Sequence, residues 1–524
     1  MIRRLLPLAV LCMLTGAARA QESADMEFAP ETVEKSGPAS KTMQKGLKLY
    51  ETKDYYSASI ELHKVIEGET GDSDANKQRG EFWMGKTLYH LGFYSASLSY
   101  FDRIVQKGAQ HRYYNATLKW LASLSRQLPE SVGILKKIGK YERAQLEQPA
   151  LEKVRDELYY LLGRYHYSVG NFKEAVALFG LVPTTSNFYA RGKFMEGITH
   201  VRTYQARPAA EAFRVLLRTA REAPKTPEIK DFEELSILSL ARVFYSTGQY
   251  DLSVKYFDQI PAESSNWLPS LFESSWAQFQ RNNFSKSLGN VHTLNAPFFE
   301  DEFFPESLIL KAVVYWKHCQ WDRSQEAVDE FKAKYPSLKN QLDGVVRQYK
   351  DPTEFYDYAV KIRTRTSGLP DEVGRLARTA LMDKTLEKTF SYVDELDREL
   401  KQVQAADPAW KATAIAGVVL QDLTLQKSLA QREAGDLAQR RLKRLASEIQ
   451  ELQKQSIKVE YEIISGKKNE LEAAVKNELV VPANAKGQSE VEPDDEHHFW
   501  PFNGEYWKDE LGYYRYKIQS RCGR

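Results

Sequence analysis

The stretch YLLGRYHYSVGNFKEAVALF, residues 160–179, decides how this chain is read. Gly163 and Ala175 are small residues twelve apart. Between them lies Gly170, and Phe172 follows two residues later. Leu162 and Phe179 supply apolar bulk on either side. Two helices joined by a tight turn account for all of this. Small residues let the crossing backbones approach, Gly170 supplies a left-handed turn residue, and Phe172 fills the wedge beside it.

The arrangement recurs along the chain. LSLARVFYSTGQYDLSVKYF, residues 238–257, has Ala241, Gly248, Tyr250, Ser253 and Phe257 in the same places. Weaker copies carry Gly46 with Ala58, Gly197 with Ala209, Ser275 with Ser287, and Ala312 with Ser324. DYYSAS at 54–59 is nearly rewritten as GFYSAS at 92–97, which aligns Ala58 with Ala96. That alignment leaves Gly85 eleven residues before Ala96, a departure from twelve. The register therefore stays open over residues 81–150 and 266–300. A unit of this size cannot bury its apolar face alone, and each interface between neighbours needs the same packing.

On these motifs the chain resembles the tetratricopeptide repeat family, whose unit is a helix–turn–helix of about 34 residues. The resemblance covers about residues 41–336. It implies an all-α, right-handed superhelical solenoid that grips a peptide or a partner helix. The residues carrying the repeat packing are Gly46, Ala58, Ala96, Gly163, Gly170, Phe172, Ala175, Gly197, Ala209, Ala241, Gly248, Tyr250, Ser253 and Ala312. Candidate partner contacts are Arg164, His166, Arg242 and Gln278 on first helices, together with Trp500 and Trp507 in the tail.

The remaining segments follow from composition. Residues 1–20 have Arg3 and Arg4, an apolar run and Ala18-Arg19-Ala20, the pattern of a secretory signal cleaved before Gln21. Leu11 before Cys12 speaks against lipidation there. Removing that segment takes away three arginines and no acid, so the net charge goes from +2 to −1. Neither nucleic acid nor an acidic solvating role is indicated. No later stretch offers about 18 uninterrupted apolar residues, so no transmembrane segment is expected in the mature chain. Residues 21–40 read as a flexible leader and 41–350 as the repeat domain.

Residues 351–479 read as long helices forming a coiled-coil hairpin. One seam holds Leu386, Phe390, Val393, Leu396, Leu400 and Val403; Asp407-Pro408 breaks it. A second holds Leu442, Leu445, Ile449, Leu452, Val459 and Ile463, interrupted at Ser456. The two seams are natural partners within the chain, and pairing with another copy, a homo-oligomer, is the alternative. A linker, 480–498, precedes an aromatic-rich end, 499–524. The crowding of rings there implies a cap on the chain's own helices or a docking segment for a partner. Cys319 and Cys522, 203 positions apart, read as unbridged thiols, one half-buried and one in the tail.

No motif for catalysis, a cofactor or a metal emerges. There is no Gly-x-Ser-x-Gly elbow and no His-Glu-x-x-His helix, and SGKKNE lacks the glycine of a phosphate loop. GDSDAN at 71–76 and DDEHH at 494–498 read as polar turns and linker, not as ion sites. The expected function is a non-enzymatic scaffold or adaptor, exported to the periplasm or cell envelope, with a protein or peptide partner. Motility, outer-membrane assembly and polysaccharide secretion are candidate settings. A self-assembling structural protein and an enzyme in the C-terminal region are the alternatives.

Overall fold

The computed structural model describes residues 38–299, 302–477 and 503–522. Among the described residues seven helix pairs carry the repeat. They are α1 (Lys41–Glu51) with α2 (Tyr55–Ile66), and α3 (Asp74–His90) with α4 (Tyr94–Lys107). Next come α5 (Tyr114–Gln127) and two short helices, α6 (Ile134–Ile138) and α7 (Arg143–Leu146), which lie outside the pattern. The series resumes with α8 (Arg155–Ser168) and α9 (Phe172–Gly180), then α10 (Tyr189–Arg202) and α11 (Ala206–Glu222). It ends with α12 (Pro227–Ser246) and α13 (Tyr250–Phe257), α14 (Trp267–Gln280) and α15 (Phe284–Leu294), and α16 (Glu306–Lys317) and α17 (Trp321–Gln348). The rest of the helical chain is α18 (Pro352–Arg363), α19 (Asp371–Leu381), α20 (Lys384–Ala405), α21 (Pro408–Lys411) and α22 (Ala414–Asn477). The described residues form an all-α, tetratricopeptide-type solenoid with a long helical C-terminal part.

The turn between paired helices is one device used seven times. Seven residues after the first small position the backbone has positive φ: Lys53 at 63°, Gly92 at 80°, Gly170 at 84°, Tyr204 at 58°, Gly248 at 77°, Asn282 at 60° and Cys319 at 53°. The next N–H reaches back five residues, as from Asn171 to the His166 carbonyl at 2.8 Å and from Gln320 to that of Tyr315 at 3.0 Å. This bond ends the first helix by satisfying a carbonyl that would otherwise be orphaned. The second helix begins one residue further on in every repeat.

These bonds settle the open register. In the second repeat the residue twelve after Gly85 is Ser97, not Ala96. Its N–H bonds the Phe93 carbonyl at 2.8 Å, as that of Ala175 bonds Asn171 at 3.0 Å. Its hydroxyl donates to the Gly85 carbonyl at 2.7 Å. Ser287 to Ser275, at 2.9 Å, and Ser324 to Ala312, at 2.8 Å, repeat that bond. Serine thus replaces alanine at the crossing by linking the two helices. Ala96 is buried one place away. Four residues beyond the second small position stands a large apolar side chain that faces the first. A Cβ on Gly163 would come within 2.6 Å of Phe179, and one on Gly85 within 2.8 Å of Phe101.

The chain divides into two compact bodies. The first contains the helices α1 to α10 and α11 up to residue 212, together with α20, α21 and residues 414–437 of α22. Here α20 and the start of α22 form the hairpin. Tyr392 donates to Gln426 at 2.5 Å and Lys427 pairs with Asp397 at 2.5 Å. The hairpin packs on second helices and turns of the first two repeats. Trp410 is buried between Tyr56 and Phe93, and its Nε1 donates to Ser59 Oγ at 3.0 Å. Helix α4 has Phe93 at its N-cap and no cap of its own. Glu399 of α20 supplies one, accepting the Ser95 N–H at 2.7 Å.

The second body holds α11 from residue 213, α12 from residue 230, the helices α13 to α19, residues 438–477 of α22, and the described tail. The second seam, expected to pair with the first, packs on α16 and α17. Ile463 and Val459 pack with Ala312, Ala327 and Val328 of α16 and α17. Polar contacts fix the same face: Lys332 to Glu460 at 2.6 Å, Lys467 to Asp322 at 2.8 Å and Gln439 to the Tyr349 carbonyl at 2.9 Å. Trp316 and Trp321 of the last repeat pack against the same cluster and widen the apolar contact the seam meets.

Candidate protein-interaction surfaces

In the first body an aromatic group gathers where α1, the start of α2, α3 and α5 come together. Tyr50 of α1 meets Trp83 of α3 edge-on at 4.7 Å, and Tyr55 stacks on His90 at 4.9 Å. Lys86 holds its ammonium 3.7 Å from the Trp83 ring centre and 5.4 Å from that of Trp120 on α5. Trp83, Tyr50 and Lys86 are half-buried and His90 is exposed. A cation over electron-rich ring faces is attracted by their negative quadrupole. None of these residues stood among the sequence-derived contacts. Of these, Tyr50 is the one at a position the repeat makes visible, four residues after the first small residue Gly46.

The sequence-derived candidates have other work. Arg164 forms an ion pair with Glu130, which also accepts Lys388 of α20 at 2.6 Å. Arg242 grips Glu273 with two bonds of 2.7 and 2.6 Å. Gln278 is buried and accepts the Asn283 side chain at 3.0 Å across the turn. His166 is half-buried on its helix against Tyr165. Trp500 lies outside the described residues. Trp507 is described and remains 57 % exposed.

In the second body the tail lies along α15. The Tyr516 N–H donates to the Ser285 carbonyl at 3.0 Å, that of Arg521 to His318 at 2.8 Å, and Gln320 donates to the Gln519 carbonyl at 2.7 Å. Gly289 permits this approach: a Cβ there would overlap the Tyr514 carbonyl. His292 stacks on Tyr506 at 4.6 Å and meets Tyr514 and Tyr516 edge-on. Burial, reinforced by Lys311, lowers His292 to about 4, so the ring is neutral and available to the Tyr516 hydroxyl at 3.1 Å. Cys319 and Cys522 are joined as a disulfide, contrary to the reading of two separate thiols. Chain separation concealed this, because the tail's course along α15 brings the two together.

Among the described residues no group of three or more His, Cys, Asp or Glu could hold a metal ion, and no helix is long and apolar enough to cross a membrane.

No family model and no curated protein matches the chain. Among solved structures it is similar to a tetratricopeptide repeat protein from Parabacteroides merdae ATCC 43184, at 11% identity over 56% of this chain and 91% of that one, TM-score 0.25. It is also similar to the apo form of RapI, at 10% identity over 75% and 97%, TM-score 0.30. A third is the TPR domain of P58(IPK), at 11% identity over 74% and 98%, TM-score 0.19. The fold assignment rests on the sevenfold recurrence of the turn among the described residues.

Proposed function

We propose that the protein is a non-enzymatic scaffold that binds a protein or peptide partner in a bacterial cell-envelope assembly. One observation carries the binding reading. In the first body the chain's own C-terminal segments take second-helix faces and turns, while the rings of Tyr50 on α1 and Trp83 on α3 stay partly exposed around Lys86. Such a surface fits an extended peptide or helix bearing apolar and acidic side chains. The bond between Cys319 and Cys522 supports an oxidising, exported setting, in line with the signal-like residues 1–20. Motility, outer-membrane assembly and polysaccharide secretion are the settings this build suits.

Crosslinking in envelope extracts tests it, comparing the native chain with Trp83→Ala/Lys86→Glu. The native chain should capture a defined partner that the double variant loses. Equal capture by both places binding elsewhere. N-terminal sequencing should find Gln21, and a retained Met1 would remove the export reading.

A second reading, self-association through the C-terminal helices, is favoured by exposed apolar residues on α22.

A further inference from the structure

The seam from Leu442 to Ile463 faces the second body. Another side of α22 carries a second apolar row: Ile457, Tyr461, Ile464, Leu471 and Val475, exposed by 58, 70, 61, 66 and 81%. With Lys468 in the vacant place, the steps alternate four and three, the spacing of a coiled-coil contact line. Scattered exposed apolar residues are ordinary on a protein surface, but a row in register on one helix is not.

We propose that this row is the contact between two copies of the chain, paired antiparallel about a two-fold axis beside residue 466. This deepens, and rests on, the self-association reading above. In that register Ile457 meets the partner's Val475 and Tyr461 meets the partner's Leu471. Ile464 meets the stem of the partner's Lys468, whose ammonium reaches past the seam to water. The charges select this orientation. Lys458 comes opposite the partner's Glu472 at both ends of the contact. Among the described residues Glu472 pairs with Lys468 of its own helix, at 3.6 Å, and its side chain is 53% exposed. A parallel pairing would set Lys468 against the partner's Lys468 inside the seam, a like-charge clash. Two helices touching over this length bury on the order of 1,000 Å² in total, near the lower bound of specific interfaces, so the dimer is reversible.

Sedimentation equilibrium on the mature, oxidised chain should show a monomer–dimer equilibrium at micromolar concentrations. Leu471→Asp, at an exposed site and checked by an unchanged melting curve, should weaken it at least about tenfold. Lys458→Glu should weaken it as well, and adding Glu472→Lys should restore it. Chains carrying Ile464→Cys, mixed with chains carrying Lys468→Cys, should form the mixed disulfide in preference to either homodimer. A dimer indifferent to Leu471→Asp overturns the seam and leaves self-association standing. A monomer at every concentration overturns both. Preferred Lys468→Cys homodimers overturn the antiparallel arrangement. A monomer that binds lipid vesicles through Leu471 assigns the row to a membrane surface and overturns the proposal.

Discussion

At the scale of single residues, the repeat depends on what can stand at two places, the crossing and the turn. Gly163 faces Phe179 so closely that a methyl group has no room. Gly163→Ala should therefore destabilise the first body by about 1–3 kcal/mol, despite alanine's better helix propensity. Hydrogen exchange should place the loss mainly in α8, α9 and their neighbours, since solenoid contacts are local. The turn position behaves in the opposite way. Tyr204 holds φ at 58° with its side chain almost wholly exposed, so it bears the left-handed penalty and makes little packing in return. Tyr204→Gly should stabilise the protein by about 1 kcal/mol, read as a raised melting temperature. If glycine lowered it instead, the tyrosine would be held by contacts other than the turn.

Among elements, the contact between α20 and α4 carries a buried carboxyl that makes it sensitive to pH. Glu399 is buried, and desolvation with nearby Glu395 pushes its carboxyl from 4.5 up to about 8, against the opposing pull of the Ser95 N–H. Tyr94, Tyr392 and Asp422 surround the same contact, and burial raises each of them. The sign follows from proton binding. Between 4.5 and 8 the folded chain keeps the Glu399 proton that the unfolded chain has lost. Stability from this group is therefore complete below 4.5 and falls as pH rises towards 8. Glu399→Gln retains an acceptor for Ser95 and carries no charge. Its melting temperature should match the native chain's in mild acid and exceed it above pH 8, flattening the profile. Parallel profiles for the two chains would show that Glu399 is not the titrating group. Glu399→Ala removes the cap and should cost about 1 kcal/mol where the carboxyl is protonated.

For the whole molecule, the recurring theme is that distant parts of the sequence complete the repeats. In the first body Trp410 and Glu399 cover and cap the first two repeats. In the second body α22 and the tail do so for the last two. The tail's seat on α15 is a backbone-to-backbone approach that Gly289 alone allows. Gly289→Ala should dislodge it. Exchange protection over 503–522 should fall, and Cys522 should be reduced faster by a mild thiol, while α1–α10 keep their protection. Unchanged protection of the tail would mean that α15 and Tyr514 can part without releasing the strap.

The repeat was legible because its signals are local. A glycine or alanine, a turn and an aromatic within twelve residues fix two helices and their crossing by sterics alone, as at Gly163, Gly170 and Phe172. The same locality limited the reading. GFYSAS resembles DYYSAS in letters, yet hydrogen bonding aligns Ser97 rather than Ala96 with Ala58, because the carbonyl of Gly85 needs a donor at that place. Lys53, Tyr204 and Cys319 adopt the turn conformation without any residue signal, since the helices on either side impose it. The candidate surface was legible only in part: the aromatics of the first helices stand in the sequence, but their gathering around Lys86 does not. Arg164 and Arg242 carry no mark to tell a free guanidinium from one committed to Glu130 or Glu273. Where the second seam docks, what caps α4, and that Cys319 bonds Cys522 were decided by tertiary structure alone. Each of these contacts joins residues more than a hundred positions apart. Such partners are chosen by which face remains unburied once the local helices have formed, and spacing along the chain does not encode that choice.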